Sequence, residues 1–274
     1  MKRILSVVMT LSLAMGFTTG CASAKKINVG RTAAALFISD EQEAELGKQV
    51  KKELEEKEKI KYLEDPAVVE YVRSVSTPIL QAANRDRAGV KWKVNVIDDP
   101  KTVNAFATPG GYLYVYTGLL LAADNEAELA GVLGHEAAHV TGRHSAQALM
   151  LQYGQQAVIE AALGKDTKTA AAIAASLAGT GAGLAFSRSN ETEADELGAK
   201  YVSAAGYDPR GLVSFFQKLA SAEGKAPGFM KWLSTHPPSA DRVQHLNSYI
   251  AKNNLSGSNA GTERLAPIKA RLKQ

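Results

Sequence analysis

Cysteine is almost missing from this chain: Cys21 is the only one in 274 residues. A lone thiol cannot close an internal disulfide, which excludes a small domain stapled by disulfide bridges. Histidine is scarce as well, with five in all, and the net charge is only +4. Lys51, Lys52, Lys57, Lys59 and Lys61 alternate with glutamates and form no basic stripe, so the segment reads as a solvated helix face and nucleic acid is not an expected partner. Long apolar runs are also lacking. Residues 169–186, TAAAIAASLAGTGAGLAF, carry no charge, but alanine and glycine add little to membrane insertion, so a close-packed small-residue helix and loop is expected there. The length suits one substantial domain, with or without an appendage.

What is present begins at the N-terminus. Met1-Lys-Arg precedes the apolar run ILSVVMTLSLAMGF and then TTGCAS. The run is short for a bilayer span and has the shape of a secretory signal. Gly20-Cys21 resembles the lipobox of bacterial lipoproteins, with Thr18 where leucine is usual. An exported protein with one thiol has another use for it, and lipidation of Cys21 is the expected one. Residues 1–20 are therefore read as a lipoprotein signal peptide and 21–38 as a tether.

Ser39-Asp-Glu-Gln-Glu is a capping-type helix start, and the helical pattern runs to about Lys61. A second helix follows Pro66, with Val68, Val69, Val72, Val75 and Ile79 on one side. Val90–Ile97 alternates and is β-branched, which predicts a strand. Val103–Ala107 and Tyr112–Tyr116 predict two more, joined by the turn Thr108-Pro-Gly-Gly111. One long helix is expected from Asn125 toward Met150, another from Ser187, and later ones after Pro209 and Pro238. The main domain is placed at 39–255, and the Gly-, Ser- and Asn-rich start of 256–274 reads as a loose tail.

The helix after Asn125 carries GHEAAHVTGRH, three of the five histidines within eleven residues. His135 and His139, four apart, project from one helix face and can share a zinc ion. Glu136 stands beside the first ligand, within reach of a water on the metal, as in the HExxH arrangement of zinc peptidases. Five residues beyond His139, His144 falls off that face and is expected to cap or end the helix. A catalytic zinc takes three protein ligands and one open position. Glu191, in Asn190-Glu-Thr-Glu-Ala-Asp195, is a candidate third ligand, and spacing alone leaves Asp195 and Glu193 open. Asp195 shares the face of Glu191 and can accept from a ligand imidazole, whereas Glu193 is expected to point outward. A purely structural zinc would favour four ligands and cysteine, and none stands here.

HExxH followed by Ser187-Arg-x-x-Glu-x-Glu-Ala-Asp195 is similar to the HtpX and CAAX-prenyl-protease family of zinc metallopeptidases. Asn104-Ala-Phe-Ala-Thr-Pro-Gly-Gly, Tyr114-Val-Tyr-Thr-Gly-Leu-Leu and Ser234-Thr-His-Pro-Pro-Ser-Ala-Asp-Arg-Val resemble further segments of it. The resemblance implies an α+β zincin-like domain, mainly helical, with a small sheet beside the HExxH helix. It makes His135, His139 and Glu191 the ligands of one zinc per chain, Glu136 the base and Asp195 a catalytic acidic residue. His236, with Arg242, would approach the zinc from the C-terminal side. Integral-membrane members of that family carry several spans, and this chain has no convincing one. With the lipobox, this points to the periplasmic lipoprotein branch, which resembles outer-membrane quality-control proteases. It argues against prenyl peptides as substrates, and no tetratricopeptide tail is expected to dock partners.

The function so implied is hydrolysis of internal peptide bonds in unfolded or misassembled envelope proteins, by an exported enzyme lipid-anchored in the periplasm. The rival reading is a chaperone-like envelope protein that retains its zinc site. Asn104, Ala105 and Phe106 would lie on an edge strand that pairs with an extended substrate, with core packing by Phe106 as the alternative. The two prolines after His236 fix a rigid turn. That histidine either donates to the oxyanion, the role assigned to it in the working enzyme, or fills the fourth zinc position at rest; capping of the next helix is the plain alternative.

Overall fold

The computed structural model describes residues 38–180, 184, 186–222, 230–236 and 239–273. Cys21 and the segments read as a signal peptide and a tether, up to residue 37, lie outside the described residues.

Helix α1 (Asp40–Glu56) starts where Ser39 and Gln42 form a reciprocal capping box. Helix α2 (Pro66–Ala83) opens with Asp65 accepting from the Ala67 and Val68 amides, and Pro66 occupies the first turn. The strands are β1 (Lys93–Ile97), β2 (Ala105–Thr108) and β3 (Tyr112–Tyr116). β2 and β3 form an antiparallel hairpin, and β1 runs parallel to β3, giving the order β1-β3-β2. The hairpin turn uses Gly110 and Gly111 at φ 82° and 91°, backbone that favours glycine. A Cβ on Gly110 would stand 2.7 Å from Ala44 Cα, so the turn also seats α1.

Thereafter the chain is helical: α3 (Thr117–Ala122), α4 (Glu126–Thr141), α5 (His144–Tyr153), α6 (Gln155–Ala162), α7 (Thr167–Ala178), α8 (Arg188–Ala204), α9 (Gly211–Ala222), α10 (Met230–Thr235), α11 (Ala240–Lys252) and α12 (Thr262–Arg271). A mainly helical domain with a three-stranded sheet is what the sequence led one to expect. The first strand is shorter than the predicted Val90–Ile97, and the second is shifted from the predicted Val103–Ala107 to end at Thr108. The segment read as a loose tail contains α12, whose Leu265 and Ile268 are buried and which packs on α2, α3 and α4. Among the described residues no helix is long and apolar enough to cross a membrane.

Both faces of the sheet are covered. Leu113 and Val115 of β3 enter one core with α2, α4, α8, α9 and α11. The intervening Tyr112, Tyr114 and Tyr116 enter a second core with α1, α5, α6 and α7, the two-residue alternation that a pleated strand imposes. At the junction lies α4, buried along all of Glu126–Thr141. It is packed by α8, α9, α2 and the edge strand β2.

Glycine sets the distance between α4 and two neighbours. A Cβ on Gly131 would lie 2.6 Å from Leu212 N of α9, and one on Gly134 would lie 2.7 Å from Val202 Cγ2 of α8. Across that second contact a Cβ on Gly198 would meet His135 N at 2.9 Å and Gly134 C at 3.0 Å. The backbones of α4 and α8 therefore touch where their functional side chains diverge.

One long helix to Met150 does not form. Gly142 ends α4, and Arg143 takes φ 57° and ψ 26°, so α5 starts on a new axis. Left-handed backbone at a non-glycine residue costs about 1–2 kcal/mol. The Arg143 side chain offsets it by donating from Nη1 to the Ile38 carbonyl at 2.8 Å and by pairing through Nη2 with Asp40.

Candidate metal centre

The close crossing of α4 and α8 brings together side chains that are 52 to 60 positions apart in sequence. His135 and His139 sit one turn apart on α4, and their Nε2 atoms approach to 3.0 Å. Ser187 caps α8 by accepting from the Asn190 amide, which sets Glu191 in the first turn. Glu191 Oε1 is 3.3 Å from His139 Nε2, and its Oε2 is 3.6 Å from His135 Nε2. His236, just past α10, places Nδ1 3.2 Å from His135 Nε2 and 3.0 Å from Glu191 Oε1. One donor atom from each of these four residues lies within 4.8 Å of the others, and all four residues are buried.

The donor set fits zinc. Metal–ligand bonds of ~2.0–2.1 Å in a tetrahedron separate neighbouring donors by about 3.3 Å, which is the scale of the spacings above. Four buried nitrogen and oxygen donors with their polar atoms turned to one point are costly to assemble without a cation. His135, His139 and Glu191 match the three-ligand catalytic pattern, and His236 would offer a fourth donor.

Other groups hold these donors from behind. Asp195 Oδ1 is 2.9 Å from His135 Nδ1. Arg242 of α11 donates to Asp195 through Nε at 2.9 Å and Nη2 at 2.8 Å, while its Nη1 stands 2.8 Å from Glu191 Oε2. A bidentate guanidinium of this kind fixes a carboxylate plane. Phe186 and Trp232 both stack on His236, at ring distances of 5.2 and 5.0 Å.

Charge is distributed unevenly over the cluster. Burial pushes the Glu136 carboxyl above the usual carboxylate range, against the pull of His236 and His135. Burial would raise Glu191 too, but His236 and His139 outweigh it and hold that carboxyl well below its ordinary value. Burial holds His139 well below the ordinary imidazole value. His236 resists burial and is raised by the Glu191 and Glu136 carboxylates. Glu136 Oε1 takes no hydrogen bond among the described residues, and His236 Nε2 stands 3.4 Å from it. A void of about 10 Å³ lies against it, lined by Phe106, Ala107, Leu177, Leu184, Phe186 and His236.

Two sequence expectations are corrected. Glu193 is not turned to solvent: its Oε2 is 3.1 Å from His144 Nε2, and its side chain is 20% exposed. His144 does not end the HExxH helix. It begins α5, is fully buried, and places Nδ1 3.2 Å from His139 Nδ1. Spacing on one continuous helix could not show this, although Gly142 just after the motif marks where that helix would stop. Asn104, Ala105 and Phe106 are all buried. Strand β2 is at the sheet edge and packs against α4, and its Ala107 lines the same small void as Glu136. The Phe106 ring stacks on Tyr114 at 4.7 Å in the second core.

A model of Peptidase family M48 matches residues 66–250. The chain is 34% identical over 161 residues to a protein named mitochondrial metalloendopeptidase OMA1 from Schizosaccharomyces pombe, covering 59% of this chain and 47% of that one. It is 30% identical over 215 residues to the beta-barrel assembly-enhancing protease of Yersinia pestis, covering 75% and 43%. The protein of that name from Escherichia coli strain K12 is 30% identical over 190 residues, covering 66% and 38%. The chain spans under half the length of each of these relatives.

Proposed function

The chain belongs to peptidase family M48, and from that premise we propose that it is a zinc-dependent endopeptidase acting on internal peptide bonds of unfolded or misassembled envelope proteins. The observation that carries the proposal is the buried convergence of His135, His139, Glu191 and His236, with Glu136 beside it. His135, His139 and Glu191 would hold one zinc ion per chain. Bound there, the metal supplies Lewis acidity and lowers the pKa of water toward roughly 7.

The protein's own groups supply the rest. Glu136 is pushed upward by burial, so its carboxylate can accept the proton of an attacking water and pass it to the leaving amine. Asp195 and Arg242 keep His135 and Glu191 in place. The main chain of β2, beside Glu136, offers an extended substrate unspecific strand pairing, which favours unfolded segments over particular sequences. The test is degradation of an unfolded envelope protein by the zinc-loaded chain. Cleavage that stops on chelation supports the proposal, and zinc-loaded protein that binds but never cuts would favour the chaperone-like reading.

For His236 the geometry favours the resting-ligand role over the donor role, because Nδ1 points into the cluster at 3.0–3.2 Å from its neighbours. His236→Ala is then expected to raise peptide turnover several-fold at unchanged zinc content. A fall in turnover would restore the oxyanion-donor role, and an unchanged rate would leave a structural one.

The location is part of the proposal: an exported protein held to a membrane, the outer one by preference, through lipidated Cys21. Cys21→Ser should move the mature protein from the membrane fraction to the soluble one. Retention on membranes after signal removal would defeat the anchor.

A further inference from the structure

Both histidines on α4 use Nε2 toward the cluster, so both must carry their proton on Nδ1 when they act as ligands. Their Nδ1 atoms meet different partners. That of His135 faces the Asp195 carboxylate directly at 2.9 Å. That of His139 faces another imidazole nitrogen, Nδ1 of His144, at 3.2 Å. If His139 Nδ1 donates, His144 Nδ1 must present its lone pair, and the His144 proton then sits on Nε2. Glu193 Oε2 lies 3.1 Å from that nitrogen and accepts it. One set of tautomers satisfies the whole row.

We propose that His144 and Glu193 are positioning residues for the metal centre, a carboxylate–imidazole pair that fixes the tautomer and ring plane of His139. The inference rests on the zinc-site reading given above. It explains why the chain breaks at Arg143. Continued as one helix, α4 would carry His144 around to another side; the left-handed residue starts a new axis and turns the ring back onto His139. It also gives Glu193 a partner two residues after Glu191 on the same helix, so that α8 contributes the third ligand, the support of His135 through Asp195, and the support of His139 through His144. Groups that hold a ligand imidazole in this way are generally worth 10- to 100-fold in metal affinity, roughly.

The experiment measures zinc affinity of the full chain by competition with a chromogenic chelator, with the visible spectrum of the cobalt(II)-loaded protein as a second readout. His144→Phe keeps an aromatic ring, a slightly larger one, and removes the acceptor; Glu193→Ala, at a partly exposed position, serves where the buried change compromises folding. Both should weaken zinc by about 10- to 100-fold and alter the cobalt spectrum, with the melting temperature of the metal-free protein unchanged. His144→Asn, whose side-chain oxygen can stand near the Nδ1 position, should stay close to the unaltered chain, as should Glu193→Gln. Unchanged affinity in His144→Phe and Glu193→Ala would overturn the proposal. So would equal losses in His144→Phe and His144→Asn, which would mark a packing role. An unaltered chain that binds no zinc would instead bring down the function proposed above.

Discussion

Glu136→Gln is expected to lower peptide-bond hydrolysis by about 10²- to 10⁴-fold, the usual worth of a positioned general base, while zinc content stays at one per chain. Glutamine matches glutamate in volume and keeps one of its oxygens, so the buried pocket has no reason to collapse. What it loses is the site for a proton. The carboxyl is 2% exposed, and burial raises it above its ordinary range, which suits a group that must both take a proton and give it up. It is not among the four residues whose donors converge, so metal binding should not depend on it. Paired measurements of bound zinc and turnover decide the matter. Full activity in the variant would place the base elsewhere, and joint loss of zinc and activity would return Glu136 to a structural role.

A single methyl group far from any reacting atom should also be damaging. Gly198 has no chemistry, but a Cβ there would stand 2.9 Å from His135 N and 3.1 Å from His135 Cα, on the backbone that carries the first ligand. Neither helix can yield easily, because α4 is buried on every side. Overpacking of this sort costs typically 1–3 kcal/mol, roughly. For a chain of this size each kcal/mol lowers the melting temperature by about 2–4 °C. The same wedge separates His135 on α4 from Glu191 and Asp195 on α8, so zinc affinity should fall together with stability. Calorimetry and chelator competition on Gly198→Ala check both. A variant as stable and as tight for zinc as the unaltered chain would show that the contact between α4 and α8 has slack.

How much of this was visible beforehand depends on the range over which each signal acts. His135, Glu136 and His139 were legible because four-residue spacing on one helix is local geometry. The alternation of β3 was equally local, and it did mark a strand between two cores. Glu191 and Asp195 needed a resemblance, since no local rule says which of three neighbouring carboxylates crosses to another helix. The support of His139 by His144 and Glu193 was hidden by one backbone residue: an arginine at positive φ is not anticipated by propensity, and it is held by contacts with Ile38 and Asp40, over a hundred positions away. Helix α12 was hidden too, because the Gly- and Ser-rich stretch before it drew attention from Leu265 and Ile268, which needed α2, α3 and α4 as a surface to cover.

The void beside Glu136 has a kinetic consequence. At about 10 Å³ it is about the size of one water probe, far short of a polypeptide segment, so a substrate chain fits against Glu136 here only when the side chains lining the void move. Observed turnover is then the product of the chemical rate and the fraction of molecules that have opened. A shift of about 1.4 kcal/mol in the opening equilibrium changes that product tenfold with every catalytic atom in place. Substitutions at Leu177 or Leu184 should therefore alter apparent kcat for long substrates much more than the affinity for the metal, and Arrhenius plots of cleavage should report the opening step.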